Sequence, residues 1–472
     1  MSSPGPDDRA RSSTTPRASG VTKSLSSLSA SGVSKRFLRD NLVTTIAAFA
    51  AGFLMFGLQS YGGHHLDPKE FGRAFALLGF YGIVTRPAAS FGRQVAWHTS
   101  RRAPDERSQP SLADSVALRL MLWLFGAGIV VATASTVFGS ELAGFFHTTV
   151  TEVVIISWSS PFMLAMAAPK GILQGEHRFT LWAGLSLLQP LLYVTGVISL
   201  ITSYKVDGVL IAITVGSGLS FVVGVYCVRA TFARALKAPM RMPWRKDSPF
   251  VVNGIIATLT NGVFLSADVV TVQHYLPHQV AGQYAAVAAI GNVLFSATLG
   301  VVSVMFTNVA ERQHRGESSK QIVFAVIALF MIVSIVGAIV LQLLGTTILH
   351  YFAGAKYEGA SSYLGWYAIG MGILSWSTAV MHSQQARNKF SLLWALIPAV
   401  IARIVLLILF HHSPMQVVLI SDALVLVFAM ALLFMFLSDE RQMSSRAEGR
   451  LNTSTPAKTR RASVQPLIEG AG

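Results

Sequence analysis

Apolar stretches of around twenty residues follow one another along most of the chain, parted by short polar turns. Each is long enough to cross, as a helix, a bilayer core about 30 Å thick. Twelve spans are predicted, near 42–62, 72–96, 115–138, 152–172, 180–202, 208–228, 249–273, 281–308, 321–346, 360–381, 390–410 and 415–437. Too little polar sequence remains to cover a soluble core of that size, which argues against a bundle of buried soluble helices. The first apolar stretch is too long for a signal-peptide core and has no small-residue cleavage site, so it is expected to stay as a span. The fold class predicted is all-α, a polytopic membrane protein of about twelve transmembrane helices.

The pattern repeats. The stretch His64–Gly79, HHLDPKEFGRAFALLG, aligns without a gap with His274–Ala289, HYLPHQVAGQYAAVAA, matching at His64/His274, Leu66/Leu276, Gly72/Gly282 and Ala76/Ala286. Gln174–Leu181, QGEHRFTL, aligns with Gln385–Leu392, QARNKFSL, at nearly the same offset. Two matches at equivalent places predict two six-helix lobes related by a pseudo-twofold axis along the membrane normal, enclosing a cavity about which they rock. The expected organisation is a disordered tail (1–40), an N-terminal lobe (41–230), a basic inter-lobe loop (231–247), a C-terminal lobe (248–438) and a second disordered tail (439–472). Gly72 and Gly282 are expected to allow close helix packing.

Composition agrees with this picture. Of 472 residues, 52% are hydrophobic and only 12% charged, against about 25% charged in a globular domain. The net charge of +15 would suit a nucleic-acid partner, but its placement argues for topology instead. Lys and Arg crowd the tails and alternate loops (Arg101, Arg102 and Arg107; Arg229 to Lys246; Arg312, Arg315 and Lys320; Arg387 and Lys389), whereas the other loops carry only Lys69, Lys205 and Lys356. By the positive-inside rule both termini are expected in the cytoplasm, with the chain in the cell membrane and its basic loops near anionic headgroups. The single Cys227 rules out an internal disulfide.

Leu276–Arg312, with its GQYAA turn into a helix, resembles span eight of the polysaccharide exporters of the multidrug/oligosaccharidyl-lipid/polysaccharide (MOP) superfamily. Gly171–Phe179, GILQGEHRF, resembles that family's link between spans four and five, and Phe352–Ala368 its approach to span ten. The resemblance covers roughly 40–437. It implies two helical bundles and the flipping of an oligosaccharide on a polyprenyl-pyrophosphate carrier. Its implied partners are that lipid-linked substrate, membrane lipids, a polysaccharide polymerase and glycosyltransferases. A monomer without nucleic acid, metal or other cofactor is expected.

Ionisable groups inside a bilayer usually face a cavity or a partner. Arg86 and Arg93, seven residues apart in span two, share a helix face, and Arg403 lies inside span eleven. Each is expected to be a cavity cation, because a guanidinium is always charged and binds oxyanions through two parallel hydrogen bonds. Pairing with a carboxylate, or reaching to headgroups, is the ordinary alternative. Lys170 is expected to be an interfacial anchor. In span seven, Asn261 and Asp268 share a face and are expected to form a polar cavity wall or a cation site, with interhelical hydrogen bonding as the alternative and as the expectation for Asn253, which is less well aligned. Pro87, Pro161, Pro190 and Pro398 are hinge candidates, alongside Pro169. Eight of the twelve His fall on the outer side of this topology, where a pH-sensing gate is one reading.

No P-loop, metal-ligand spacing or other catalytic motif is found, so a transporter rather than an enzyme is expected. The leading expectation is a lipid-linked oligosaccharide flippase working by alternating access. A cation-coupled drug or metabolite antiporter of the same superfamily is the alternative, and a membrane glycosyltransferase or polymer ligase a second, disfavoured by the short outer loops.

Overall fold

The computed structural model describes residues 35–100, 109–238, 244–315, 318–386 and 393–453. The tail before residue 35, the tail after 453, Arg101, Arg102, Arg107, Arg241, Arg387, Lys389 and most of the repeat segment Gln385–Leu392 lie outside the described residues.

Helices account for the described chain almost throughout, and no strand occurs among the described residues. In order they are α1 (Lys35–His65), α2 (Pro68–Thr85), α3 (Ala88–Ser100), α4 (Leu112–Val137), α5 (Gly139–Phe146), α6 (Val150–Ser157), α7 (Ser160–Ala165), α8 (Ala167–Gly175) and α9 (Phe179–Cys227). Then follow α10 (Arg229–Ala235), α11 (Trp244–Tyr275), α12 (His278–Arg315), α13 (Lys320–Leu343), α14 (Gly345–Ala353), a 3-10 turn (Ala355–Ala360), α15 (Ser361–Ala386), α16 (Leu393–Leu409) and α17 (Pro414–Thr453). Nine described segments are long and apolar enough to cross a membrane. One of them, α9, is two spans folded back at Lys205, whose φ of 47° and ψ of −120° break the helix. With α12 and α16 the expected twelve crossings are accounted for. This is a multi-pass membrane protein. Helices suit it because each satisfies its own backbone hydrogen bonds where no water is present.

Polar caps set several boundaries. Glu70 Oε2 accepts from the Asp67 backbone N–H at 3.1 Å, and Pro68 opens α2, where its missing N–H is not needed. Ser111 and Asp114 cap the start of α4 reciprocally, at 3.3 and 3.2 Å.

Two lobes result. In the first, α1 packs on α9, α3 on α8, and α4 on α6, α7, α8 and α10. In the second, α15 lies against α12, α13 and α17, while α16 bridges α11 and α17. The lobes meet reciprocally: α2 packs on α12; α2 on α11 and α1 on α12; α5 on α11 and α14 on α1. At the centre the two repeat copies meet each other. A Cβ built on Gly72 would stand 2.8 Å from Gly282 N and 3.0 Å from Gly282 Cα, and one on Gly282 would collide with the Pro68 carbonyl. A residue that touches its own counterpart lies beside the symmetry axis, the geometry of an isologous contact.

Several expected boundaries change. Span four is three short helices, because Trp158 and Met166 interrupt it. The inter-lobe loop carries α10, tied to the first lobe by Arg234, which lies 3.5 Å from Asp114 and 3.6 Å from Glu176. The C-terminal tail does not begin at 439 as an irregular chain: α17 runs on to Thr453. Buried Glu440 holds it against the α12–α13 turn, accepting from Ser318 Oγ at 2.6 Å and Ser319 Oγ at 3.3 Å.

Candidate functional site

Arg86 lies where α2 ends. Pro87 has no N–H to continue the helix, and the chain turns through Ala89 N→Arg86 O and Ser90 N→Pro87 O bonds into α3. At 1.5 Å per residue, Arg86 is about 27 Å along from Pro68. It therefore belongs to the half of the bundle nearer the chain termini, called the proximal half below; the α1–α2 turn marks the distal face. The Arg86 side chain crosses Gly262 of α11, where a built Cβ would meet Arg86 Cδ at 2.8 Å. One helix further, Arg93 Nη2 donates to Ser90 Oγ at 3.1 Å and lies 3.6 Å from a Cβ built on Gly254. Ser90 Oγ and Thr258 Oγ1, 3.3 Å apart, join the lobes between them. Two half-buried guanidinium groups of the first lobe thus fit two glycine notches in the first helix of the second. Neither has a carboxylate partner among the described residues.

Arg403 differs from its expectation as a cavity cation. It is 1% exposed, inside the second lobe, and 3.7 Å from Asp268, itself 0% exposed. Arg403 Nη2 also donates to Phe264 O at 3.2 Å, and the guanidinium stands over the Phe264 ring. Tyr284 donates to Asp268 Oδ2 at 2.9 Å. Asp268 is likewise buried inside the second lobe; the carboxylate pairing that was the alternative for Arg403 is present, and the Tyr284 bond from α12 is the interhelical hydrogen bonding that was the alternative for Asp268. Asn261 also turns inward. With Thr260, Phe264, Thr378, Met381 and Phe428 it lines a crevice of about 170 Å³ within the second lobe.

Sequence reasoning missed three things here. Asp422, in α17, lies against Gly370, and Arg403 and Asp268 act on it electrostatically. Two carboxylates thus face one guanidinium, with Asp268 Oδ1, Asp422 Oδ2, Arg403 Nε and Arg403 Nη1 buried without hydrogen bonds. A lone acid in the apolar run VLISDALVL was the available signal. The glycine notches were missed by one residue each, since attention fell on Asn253 and Asn261 next to Gly254 and Gly262. Lys170, expected at the headgroups, instead donates to Gln189 Oε1 at 3.3 Å inside the first lobe; Gln189 Nε2 donates to Tyr193 Oη, which is bonded in turn to Ser217 Oγ.

The hinge candidates divide. Pro87 and Pro161 sit at real breaks, and Pro161 is packed hard on Gly128. Pro190 lies inside the first limb of α9, before the break at Lys205, and Pro398 inside α16.

The distal face is shut by polar contacts between lobes. Lys356 of the second lobe is paired with Asp67 of the first, and Ser60 Oγ donates to Phe352 O at 2.7 Å, while Lys205 pairs with Glu70 at 2.9 Å within the first lobe. The Lys356 ammonium holds the Asp67 carboxyl below its ordinary range, by hydrogen bond first and by charge second. No group of three His, Cys, Asp or Glu able to hold a metal occurs among the described residues.

Neither the known family models nor the curated proteins give a match to the sequence. Solved structures do match in shape. An inward-facing multidrug resistance MATE family transporter of the MOP superfamily aligns over 88% of this chain and 100% of its own, at 12% identity and a TM-score of 0.66. The lipid II flippase MurJ in an inward closed conformation aligns over 87% and 92%, at 17% identity and a TM-score of 0.63. A MOP superfamily transporter from Pyrococcus furiosus, described as having a reverse polarity of its binding pocket, aligns over 86% and 96%, at 12% identity and a TM-score of 0.57. At such identities the likeness is one of fold: the chain has the two-lobe helical architecture of these transporters.

Proposed function

We propose that this chain flips an anionic, lipid-linked cargo between leaflets by alternating access, the cargo being an oligosaccharide on a polyprenyl pyrophosphate. The observation that carries this reading is the pair Arg86 and Arg93. Two guanidinium groups without carboxylate partners, within the membrane and on the seam that must part for the lobes to rock, call for a mobile anion. A pyrophosphate offers oxygens to both arginines, while its sugar stays between the lobes and its lipid tail in the bilayer. The proximal face is then cytoplasmic, in keeping with its basic loops.

Export by a deletion strain carrying variants, or flipping of a fluorescent polyprenyl-pyrophosphate sugar in vesicles, tests the reading. Arg86→Gln with Arg93→Gln should abolish movement, while Arg86→Lys, which keeps the charge but loses the fork, should retain part of it. A double variant made at normal levels that still exports fully overturns the proposal.

One observation favours a second reading, cation-coupled antiport. Asp268 and Asp422 outnumber Arg403 in a buried cluster with unsatisfied oxygens, which suits uptake of a proton or metal cation. Asp422→Asn separates the two: it should stop a coupled antiporter, whereas passive flipping of lipid-linked sugar should continue.

A further inference from the structure

We propose that the crossing built from His147, His274 and His278 is a pH-responsive clasp on the distal face, holding the lobes together while His278 is neutral and releasing them when His278 is protonated. The proposal rests on the alternating-access reading above.

Each lobe sends one short helix across to the other, and the two crossings are near-equivalent by symmetry. From the second lobe, α14 reaches α1: Phe352 O accepts from Ser60 Oγ, its ring lies 5.1 Å from Phe56, and Tyr357 donates to Leu66 O at 3.1 Å. No imidazole takes part. The nearby His64 and His65 turn back to Ser60 O and Tyr61 O of their own helix, and His350 pairs with Glu358 at 2.7 Å.

From the first lobe, α5 reaches α11, and here the crossing is made of histidine. His147 Nε2–H donates to His274 O at 3.0 Å, His274 Nδ1–H donates to Phe145 O at 2.8 Å, and Gln273 Nε2 donates to Phe146 O at 3.0 Å. The His274 ring stacks on Phe145 at 4.1 Å. His147 lies 5.8 Å from His274 and 4.9 Å from His278, ring to ring. Moreover, His147 ends α5 at φ 51°, ψ 49°, a left-handed position where glycine is usual, so the clasp holds a strained residue in place.

The charged surroundings settle the sign. His278 Nδ1 is buried with no hydrogen-bond partner, so an added proton there finds no acceptor. From α2, Lys69 and Arg73 act on His278 with positive charge, as does His147 when protonated. The acids close by are engaged. Glu152 of α6 pairs with Arg73 at 3.6 Å and also feels Asp207; Glu70 pairs with Lys205. Glu141 of α5 is bonded to Ser140, and at the 3-10 turn Lys356 is taken by Asp67 and Glu358 by His350. At the end of α16, His411 stacks on Tyr275, beside His412, and adds no negative charge. The imidazolium form of His278 is therefore penalised while the lobes are closed and relieved in water once they part. Closing expels protons, and acid favours the open state.

The test uses the full chain in vesicles, in a Cys227→Ala background, with spin labels at Thr202 and Thr346 reporting the distance across the distal face. From pH 7.5 to 5.5 the open-to-closed ratio should rise by up to about tenfold per pH unit for each proton taken up. The triple variant His147→Gln/His274→Gln/His278→Gln should flatten that slope, and His64→Gln/His65→Gln should keep it. An unchanged slope in the triple variant, no slope in the parent, or acid favouring the closed state overturns the clasp. Gly72→Ala serves as a pH-independent opener. If it opens the distal face and acid does not, only the clasp fails; if neither does, alternating access fails with it.

Discussion

Replacing Gly72 with Ala perturbs the lobe contact at its centre. The new Cβ would lie 3.0 Å from Gly282 Cα and 2.8 Å from Gly282 N. Carbon atoms settle at about 3.5–4.0 Å, so the two backbones must part by roughly 0.5–1 Å. Neither partner is a side chain that can rotate aside; both belong to packed helices. Overpacking of this kind costs about 1–3 kcal/mol. Gly72 is clear of Gly282 once the lobes separate, so the penalty falls on the closed state alone. The open-to-closed ratio should then rise about 5- to 150-fold. Distances between spin labels at Thr202 and Thr346 read this directly, with Gly126→Ala as control, since nothing lies within 4 Å of a Cβ there. A distribution for Gly72→Ala within twofold of the parent, or shifted toward closure, would refute the idea that this seam holds the distal face shut.

Other consequences can be measured in the same preparations. Arg403→Met leaves Asp268 and Asp422 buried without a countercharge and should lower unfolding stability by about 3–5 kcal/mol in denaturant, whereas Asp268→Asn, which leaves Asp422 facing Arg403, should cost less. Gly262→Val should displace the Arg86 side chain and reduce transport as far as Arg86→Gln does; normal transport would show that the notch does not position Arg86. Because Lys356 lowers the Asp67 carboxyl, that pair is fully formed above the ordinary carboxylate range and is lost only as pH falls through the lowered value. Asp67→Asn should therefore change distal opening by less than about 1 kcal/mol and by the same amount at every pH from 5.5 to 7.5, as expected for an exposed pair.

The crossings and the lobes were legible because they follow from length and repetition, which are local properties, whereas the single helix face expected for Arg86 and Arg93 is divided by the break at Pro87, so that they reach α11 from two helices. What was not legible depends on rotation or on distant partners. Asn253 and Asn261 drew attention in span seven, yet one residue along a helix is a turn of about 100°. Their neighbours Gly254 and Gly262 face the arginines, while Asn261 faces into its own lobe. Arg403 and Asp268 lie on separate helices, and nothing along the chain distinguishes a cavity cation from half of a buried pair. Span four kept its apolar composition while breaking into α6, α7 and α8, because hydropathy does not register where a helix ends. Glu440 extends α17 through hydroxyl groups more than a hundred residues away, at Ser318 and Ser319.

The meeting of Gly72 with Gly282 limits how this protein can change. In an ordinary core, a residue that grows can be offset by a neighbour that shrinks, and the pair drifts while total volume is kept. Here both neighbours are already at the smallest size and each abuts backbone, Gly72 meeting the Gln273 side chain as well. There is no volume to trade. Any substitution at either glycine is felt as movement of a whole lobe, so the two positions should resist exchange together while the walls around them, including the arginines present in only one lobe, remain free to diverge.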